Sequence, residues 1–181
     1  MADTKHQQKL QKILADLNSD DSKKISKALK SLEVHGDSSV IKPLAKRLLQ
    51  GVSETNESEI IELLSSLKDT SSVVEIMDVL GDSEFRPIRQ KILTSVWNTK
   101  VDFSNYIDEF VEIAVNGNFM EALDCLTIIE NLEGPFMEEN ILECQLHLKS
   151  YMESNAKDQQ KEYLLSEIAI KLKDFNENLE D

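Results

Sequence analysis

Apolar side chains recur at helical spacing along almost the whole chain. Leu10, Ile13, Leu14 and Leu17 follow the spacing i, i+3, i+4, i+7, which puts them on one face of a helix. Polar clusters and single glycines separate this stripe from the next ones, and no segment alternates apolar and polar residues as a strand does. The pattern therefore predicts an all-α chain. The later stripes include Ile25, Leu29 and Leu32; Ile41, Leu44 and Leu48; Ile60, Leu64 and Leu67; Val73, Val74, Met77 and Leu80; Phe85, Ile92 and Trp97; Ile107, Phe110 and Ala114; Ala122, Leu126 and Ile129; Ile141, Leu142 and Leu146; and Tyr163, Leu164, Ile168 and Leu172.

The stripes also repeat along the chain. Leu44, Met77 and Phe110 are separated by 33 residues each. Ile41, Val74, Ile107 and Ile141 follow at intervals of 33, 33 and 34 residues. A helical hairpin of this length cannot bury its apolar stripe alone, so neighbouring hairpins must stack. We expect about four hairpins over residues 20–153, between polar capping helices at 1–18 and 155–181.

Two stretches carry a family resemblance. LEVHGDSSVIKPLAKRLLQG and LLSSLKDTSSVVEIMDVLGDSEFRPIRQKILTSVW resemble HEAT-like repeats of the short bacterial, PBS-lyase-like type over about residues 20–115. The length of the chain suits a single domain over residues 1–181. The resemblance implies that it is folded as a right-handed α-α superhelix (a HEAT-like solenoid) with a role in binding. The fourth repeat departs from the pattern, because Gly134-Pro135 replaces the usual Asp turn. Asp69, Val73, Leu80, Asp82, Arg89 and Leu93 occupy the characteristic places of the repeat.

Charge is divided unevenly along the chain, whose formal net charge is −14. Residues 1–50 contain 10 Lys/Arg and 6 Asp/Glu, whereas residues 51–181 contain 10 Lys/Arg and 28 Asp/Glu. No Lys or Arg lies between Val101 and Leu148, where 11 acidic residues occur. Such a balance disfavours nucleic acid and anionic membrane as partners, because both would be repelled.

Six acidic residues form the main candidate binding site, named here the acidic strip. They occupy polar positions of the predicted second helices, in pairs spaced three or four residues apart, so that each pair lies on one helix face. In HEAT-like solenoids, the second helices line the concave surface, which the resemblance extends to this chain. Two interpretations stay open: a solvated face that keeps the protein soluble, or a groove that attracts a basic peptide or protein. The acidic strip comprises Glu75, Asp78, Asp108, Glu112, Glu139 and Glu143.

Catalytic and metal-binding signals are weak. The chain has no GxxxxGK[ST], GxGxxG, HExxH, CxxC or GxSxG motif, so no catalytic residue, metal or cofactor is predicted. Cys144 and His147 share a helix face next to Glu143, and Cys125 precedes them, but structural zinc sites use four ligands at tighter spacing. A disulfide between the two cysteines is not expected in a reducing compartment.

Three further features are interpreted as structural or surface features without a binding role. Asn56-Glu57-Ser58 matches a glycosylation sequon, but without a secretory signal it is a polar helix start. Trp97 is expected in the core rather than in a ligand platform. A basic cluster in the first repeat is interpreted as scattered surface charge, although it suits an acidic partner or another copy of the chain. The cluster comprises Lys23, Lys24, Lys27, Lys30, Lys42, Lys46 and Arg47.

Together these observations predict a non-enzymatic, cytoplasmic scaffold or adaptor that binds a basic protein on an acidic concave face. No apolar run approaches the length of a membrane span. The alternatives are a HEAT-like enzyme subunit of the lyase type, and a carboxylate-rich inhibitor or DNA mimic. HEAT-like DNA glycosylases need a basic concave face, which this charge pattern disfavours. The oligomeric state is left open.

Overall fold

The computed structural model of the protein describes residues 2–154 and 158–177 and contains ten α-helices and no strand within these residues. The all-α prediction is therefore confirmed for this part of the chain. Short 3-10 turns precede three of the helices, at Ser38–Val40, Ser83–Ile88 and Ser104–Tyr106. The helices are α1 (Ala2–Leu17), α2 (Ser22–His35), α3 (Ile41–Gln50), α4 (Glu54–Ser65), α5 (Ser71–Gly81), α6 (Arg89–Val96), α7 (Ile107–Asn116), α8 (Phe119–Glu130), α9 (Glu138–Glu153) and α10 (Gln159–Glu177).

Polar side chains fix where several helices begin. The Asp21 carboxylate accepts a hydrogen bond from the backbone N–H of Lys23 at the start of α2. At the start of α8, Asn118 and Glu121 form a capping box, in which each side chain accepts a hydrogen bond from the other's backbone N–H. Such caps satisfy N–H groups that have no partner inside the helix. Gly51 ends α3 at φ +85°, a conformation that favours glycine.

The chain divides into two compact units, Met1–Val101 with α1–α6 and Asp102–Asp181 with α7–α10. Eight helices, α2–α9, lie where four hairpins were predicted. The division separates α6 from α7, which the sequence pattern pairs as the third hairpin. A single array through both units stays a prediction. Residues 155–157 and 178–181 of the predicted C-terminal cap lie outside the described residues.

Within each unit, several helices pack on the helix two positions further along the chain and also on the next helix, and α1 packs on α2. In the first unit, α2 packs on α4, α4 on α6, and α3 on α5. In the second unit, α7 packs on α9 and α8 on α10. Consecutive helices α3 and α4, α5 and α6, α7 and α8, and α9 and α10 also touch. Each unit therefore consists of two helical layers joined by consecutive helices.

The repeat interval is also visible in the pattern of buried residues. Leu44, Met77, Phe110 and Cys144 are all buried, at intervals of 33, 33 and 34 residues. The alignment through Val74 is wrong, because Val74 is 51% exposed. In α5 the core stripe is Val73, Ile76, Met77 and Leu80, which follows i, i+3, i+4, i+7 and turns Val74 away.

No helix within the described residues is long and apolar enough to cross a bilayer.

Candidate functional site

Four of the six residues of the acidic strip lie on two helices that pack together. Asp108 and Glu112 belong to α7, and Glu139 and Glu143 belong to α9. The side-chain amide of Asn140 on α9 donates a hydrogen bond of 2.7 Å to the carbonyl of Asn105, just before α7. The structure thus brings together two of the three predicted acidic pairs.

The pKa of Cys144 on α9 is affected by the negative charges on these two helices. Its side chain is fully buried, and burial is the main cause that raises the pKa of its thiol to about 12. The charges of Asp108 and Glu143 also raise this pKa, because a thiolate next to a carboxylate is repelled. The thiol therefore stays protonated at neutral pH.

The third acidic pair lies on α5 in the first unit. Asp78 is exposed and Glu75 is half-buried. Both side chains reach solvent, as a surface role requires. The continuity of the acidic strip from α5 to α7 stays a prediction.

The outward face of α9 differs from the sequence prediction. Leu142 and Leu146, expected in the apolar stripe, are 55% and 49% exposed. The buried residues of this helix are Ile141, Cys144 and Tyr151, so Cys144 takes the core position and the two leucines turn outward. Leu142 and Leu146 therefore stand on the same side of α9 as Glu139 and Glu143.

The suggested metal fragment does not assemble. Among the described residues, no three His, Cys, Asp or Glu side chains are grouped so that they could hold a metal ion. Cys125 and Cys144 are both buried, and no disulfide joins them. The buried thiols act as small apolar core side chains.

Lys161 on α10 is a buried cation that sequence reasoning missed. Its side chain is 5% exposed, and its ammonium donates hydrogen bonds of 2.7 Å to the carbonyls of Val115 and Gly117, at the end of α7. It also lies 5.4 Å from the centre of the Tyr151 ring. Burial lowers the pKa of Lys161, against the opposite effect of nearby carboxylates. A lysine at the C-terminal end of a helix satisfies carbonyls that lack partners there.

A sequence signal for Lys161 existed. Lys161, Leu164, Leu165 and Ile168 follow the spacing i, i+3, i+4, i+7, so the lysine continues the buried stripe of α10 by one turn. The sequence pattern placed Tyr163 in this stripe instead, and that prediction is wrong, because Tyr163 is 68% exposed.

Asn56, the residue of the sequon, is the centre of a buried polar network between α2 and α4. Its side chain is fully buried. The amide oxygen accepts hydrogen bonds from the hydroxyls of Ser22 (2.7 Å) and Ser53 (2.9 Å). The amide nitrogen donates to Ser26 Oγ and Glu59 Oε2, both at 2.9 Å, and to the Ser22 carbonyl at 3.3 Å. Asn56 therefore joins the two helices and is not available to a glycan.

Two other sequence predictions need correction. Arg47 is not part of a surface cluster: it is buried, and it donates hydrogen bonds to the Ser19 carbonyl and to Gln50. The six lysines of the basic cluster are exposed, as expected. Trp97 follows the last residue of α6 and is 42% exposed, so it does not lie in the core.

Comparison of the chain with protein-family models, curated proteins and solved structures gave no match. The HEAT-like resemblance therefore stays a prediction based on the quoted residues.

Proposed function

We propose that the protein is a non-enzymatic scaffold that binds a basic protein or peptide on the acidic face of α7 and α9. One observation carries this proposal. The first unit contains 15 Lys/Arg and 15 Asp/Glu, whereas the second contains 5 Lys/Arg and 19 Asp/Glu, so the whole net charge of −14 belongs to the second unit. A concentration of like charge on one region attracts and orients an oppositely charged partner.

The proposed architecture is a right-handed superhelix of HEAT-like hairpins. Two kinds of support exist: the contacts between alternate helices within each unit, and the buried positions that recur every 33 or 34 residues. In such a stack, the second helices of the hairpins would form one layer. The acidic strip would lie on the concave side of that layer.

Surface position favours binding over a purely structural role for these carboxylates. Glu112, Glu139 and Glu143 are exposed, and Asp108 is half-buried. Asp108 and Glu139 also lie in the first turns of their helices, where the helix dipole favours a carboxylate. Glu112 and Glu143 lie beyond the first turns, so the helix dipole gives no reason for their charge.

The thiol chemistry of the chain fits a scaffold and a reducing, cytoplasmic setting. Both cysteines are buried, and the raised pKa of Cys144 keeps its thiol protonated. A nucleophilic cysteine needs a lowered pKa and access to solvent.

The test measures binding of a fluorescent Lys/Arg-rich peptide by anisotropy at low salt. Glu139→Gln with Glu143→Gln on α9, and Asp108→Asn with Glu112→Gln on α7, should each weaken binding about 5-fold, which corresponds to about 1 kcal/mol. The matched control is Glu130→Gln with Glu133→Gln, two exposed residues of the same unit outside α7 and α9. It removes the same charge and should change affinity less than about 2-fold.

Equal weakening by all three pairs would contradict the proposal, because it would mean that only net charge matters. A fourth variant, Glu75→Gln with Asp78→Asn, tests whether the acidic strip includes α5. A loss of binding equal to that of the α9 pair would extend the binding face into the first unit.

A further inference from the structure

Exposed apolar side chains are concentrated in the second unit. Among the described residues, ten large apolar side chains are strongly exposed, and seven of them lie in this unit. Three of the seven are on α9 alone. Isolated exposed apolar residues are ordinary, but a group on one helix indicates a binding surface. The ten are Val34, Val74, Trp97, Met120, Met137, Leu142, Leu146, Met152, Tyr163 and Ile170.

The leucines on α9 alternate with carboxylates. Glu139, Leu142, Glu143 and Leu146 follow the spacing i, i+3, i+4, i+7, so they form one stripe along the helix. All four side chains are exposed. Leu142 and Leu146 are one helical turn apart, and so are Glu139 and Glu143. This outward stripe, named here the α9 stripe, combines an apolar contact with negative charge.

We infer that the α9 stripe binds an amphipathic basic helix of a partner protein, which lays its apolar side chains on Leu142 and Leu146. This inference rests on the proposed function and adds the conformation and the apolar character of the partner. A purely charged partner would make no apolar contact with the two leucines. A purely apolar partner would remove the carboxylates from water without a counterion. Only a segment with both characters matches both halves of the stripe.

Charge complementarity identifies the sign of the partner. Glu139 and Glu143 lie on α9, which packs on α7, the helix that carries Asp108 and Glu112. The partner's lysines or arginines therefore meet carboxylates on both helices, while its apolar residues meet α9. The second unit has only five cations for nineteen acidic residues, so its own side chains cannot neutralise this region.

The spacing of the contacts favours a helix over an extended segment. Two leucines four residues apart on α9 match a partner whose apolar residues also repeat once per turn, as in other helix-in-groove complexes. An extended segment usually binds by joining a sheet edge, and residues 2–154 and 158–177 contain no strand to offer one.

The experiment compares three synthetic peptides of equal length. The first is an amphipathic helix with Leu at i, i+3, i+4 and i+7 and Lys elsewhere. The second has the same composition in a scrambled order that leaves no apolar face, and the third is oligolysine. We expect the amphipathic peptide to bind the protein about 10-fold more tightly than the scrambled one, and to gain helicity by circular dichroism when it binds.

Variants assign this preference to the α9 stripe. Leu142→Gln with Leu146→Gln should abolish the 10-fold preference and leave oligolysine binding unchanged. The matched control is Tyr163→Gln with Ile170→Gln, an equally exposed apolar pair on α10, and it should keep the preference. Because all four side chains are exposed, these variants are expected to fold, and the peptide comparison on the unaltered protein needs no variant.

The outcomes separate the two proposals. Equal affinity for the amphipathic and scrambled peptides, or a preference that survives the leucine substitutions, would overturn the amphipathic-helix inference alone. If Glu139→Gln with Glu143→Gln left the affinity for oligolysine unchanged, that result would overturn the proposed acidic face itself. Loss of the preference in the α10 control, equal to that in the α9 variant, would show a nonspecific apolar effect and also overturn the inference.

Discussion

The two units of the molecule share one way of packing helices but differ in how their charges are matched. In Met1–Val101, equal numbers of cations and carboxylates allow local pairs such as Lys91 with Glu57, whose charged atoms are 2.6 Å apart, and Lys42 with Asp82 at 3.7 Å. In Asp102–Asp181, nineteen acidic residues face five cations. The same two-layer packing thus occurs with balanced and with unbalanced charge. The excess of carboxylates in the second unit is therefore not required by this way of packing helices.

The units also differ in the buried polar group that joins their helices. The first unit uses the neutral amide of Asn56 between α2 and α4, and the second uses the cation of Lys161 between α10 and the end of α7. A charged group makes stronger hydrogen bonds but is harder to bury. Substitutions at these two positions should therefore have effects of different size in the two units.

The largest effect is expected for Lys161→Met. The substitution leaves the carbonyls of Val115 and Gly117 without their donor, which should lower the free energy of unfolding of the second unit by about 3 kcal/mol. Hydrogen exchange measured by mass spectrometry can follow α7–α10 separately from α1–α6. Lys149→Met, at an exposed position of α9, is the control and should change stability by less than about 0.5 kcal/mol. Equal, small effects of both substitutions would show that the Lys161 bonds do not stabilise this unit.

Asn56→Ala should have the next largest effect and should act on the first unit. It removes the buried amide that bonds to Ser22, Ser26 and Ser53, and so breaks the hydrogen bonds between α2 and α4, at a cost of about 2 kcal/mol. Trp97, the single tryptophan, lies in this unit, so its fluorescence during urea unfolding reports the change. Asn18→Ala, at an exposed turn after α1, serves as the control. An unchanged urea midpoint for Asn56→Ala would contradict the stabilising role of the network.

Salt should stabilise the second unit more than the first. Repulsion among its carboxylates is screened over about 10 Å at 0.1 M salt. Raising sodium chloride from low concentration to 0.5 M should therefore add about 1 kcal/mol to the stability of the second unit, and much less to the balanced first unit. Hydrogen exchange at the two salt concentrations gives both values in one sample. A similar gain in both units would remove charge imbalance as the cause.

The smallest expected effect is on the acid sensitivity of the first unit, and it involves Glu59. The hydrogen bond from the Ser26 hydroxyl is the main cause that lowers the pKa of Glu59 below 4.5, with help from the Asn56 amide and the Lys30 charge, while burial opposes the shift. Since the folded-state pKa lies below the unfolded one, this stabilisation is complete above about pH 4.5 and is lost as the pH falls through the folded-state value. Glu59→Gln should therefore make the stability of the first unit less dependent on pH below 4.5, as measured by Trp97 fluorescence. Glu62→Gln, one turn further along α4, is the control, and an identical acid response of both variants would exclude Glu59 as the source.

The helices themselves were predictable because their signals are local. Apolar spacing and turn residues placed ten helices, and the buried series Leu44, Met77, Phe110 and Cys144 keeps the predicted interval. The rotation of each helix was less predictable. In a chain rich in Leu and Val, adjacent apolar residues such as Ile141 and Leu142 compete for the same core position, and packing against α7 and α10 decides which one is buried.

The candidate site was predictable only within single helices. The spacing of Glu139 and Glu143 on one face follows from helix geometry, but the approach of α9 to α7 depends on contacts between residues about 35 positions apart, such as Asn140 with Asn105. Lys161 was missed for the same reason, since its two carbonyl partners lie 46 and 44 residues earlier in the chain.

These separations have a consequence during protein synthesis. The Asn56 network is complete once α4 has emerged from the ribosome, because all its partners lie between Ser22 and Glu59. The end of α7 must wait for Lys161, so Val115 and Gly117 keep exposed carbonyls until α10 has been translated. The first unit can therefore fold while the ribosome is still translating the second, and the acidic second unit completes its folding only after α10 has been translated.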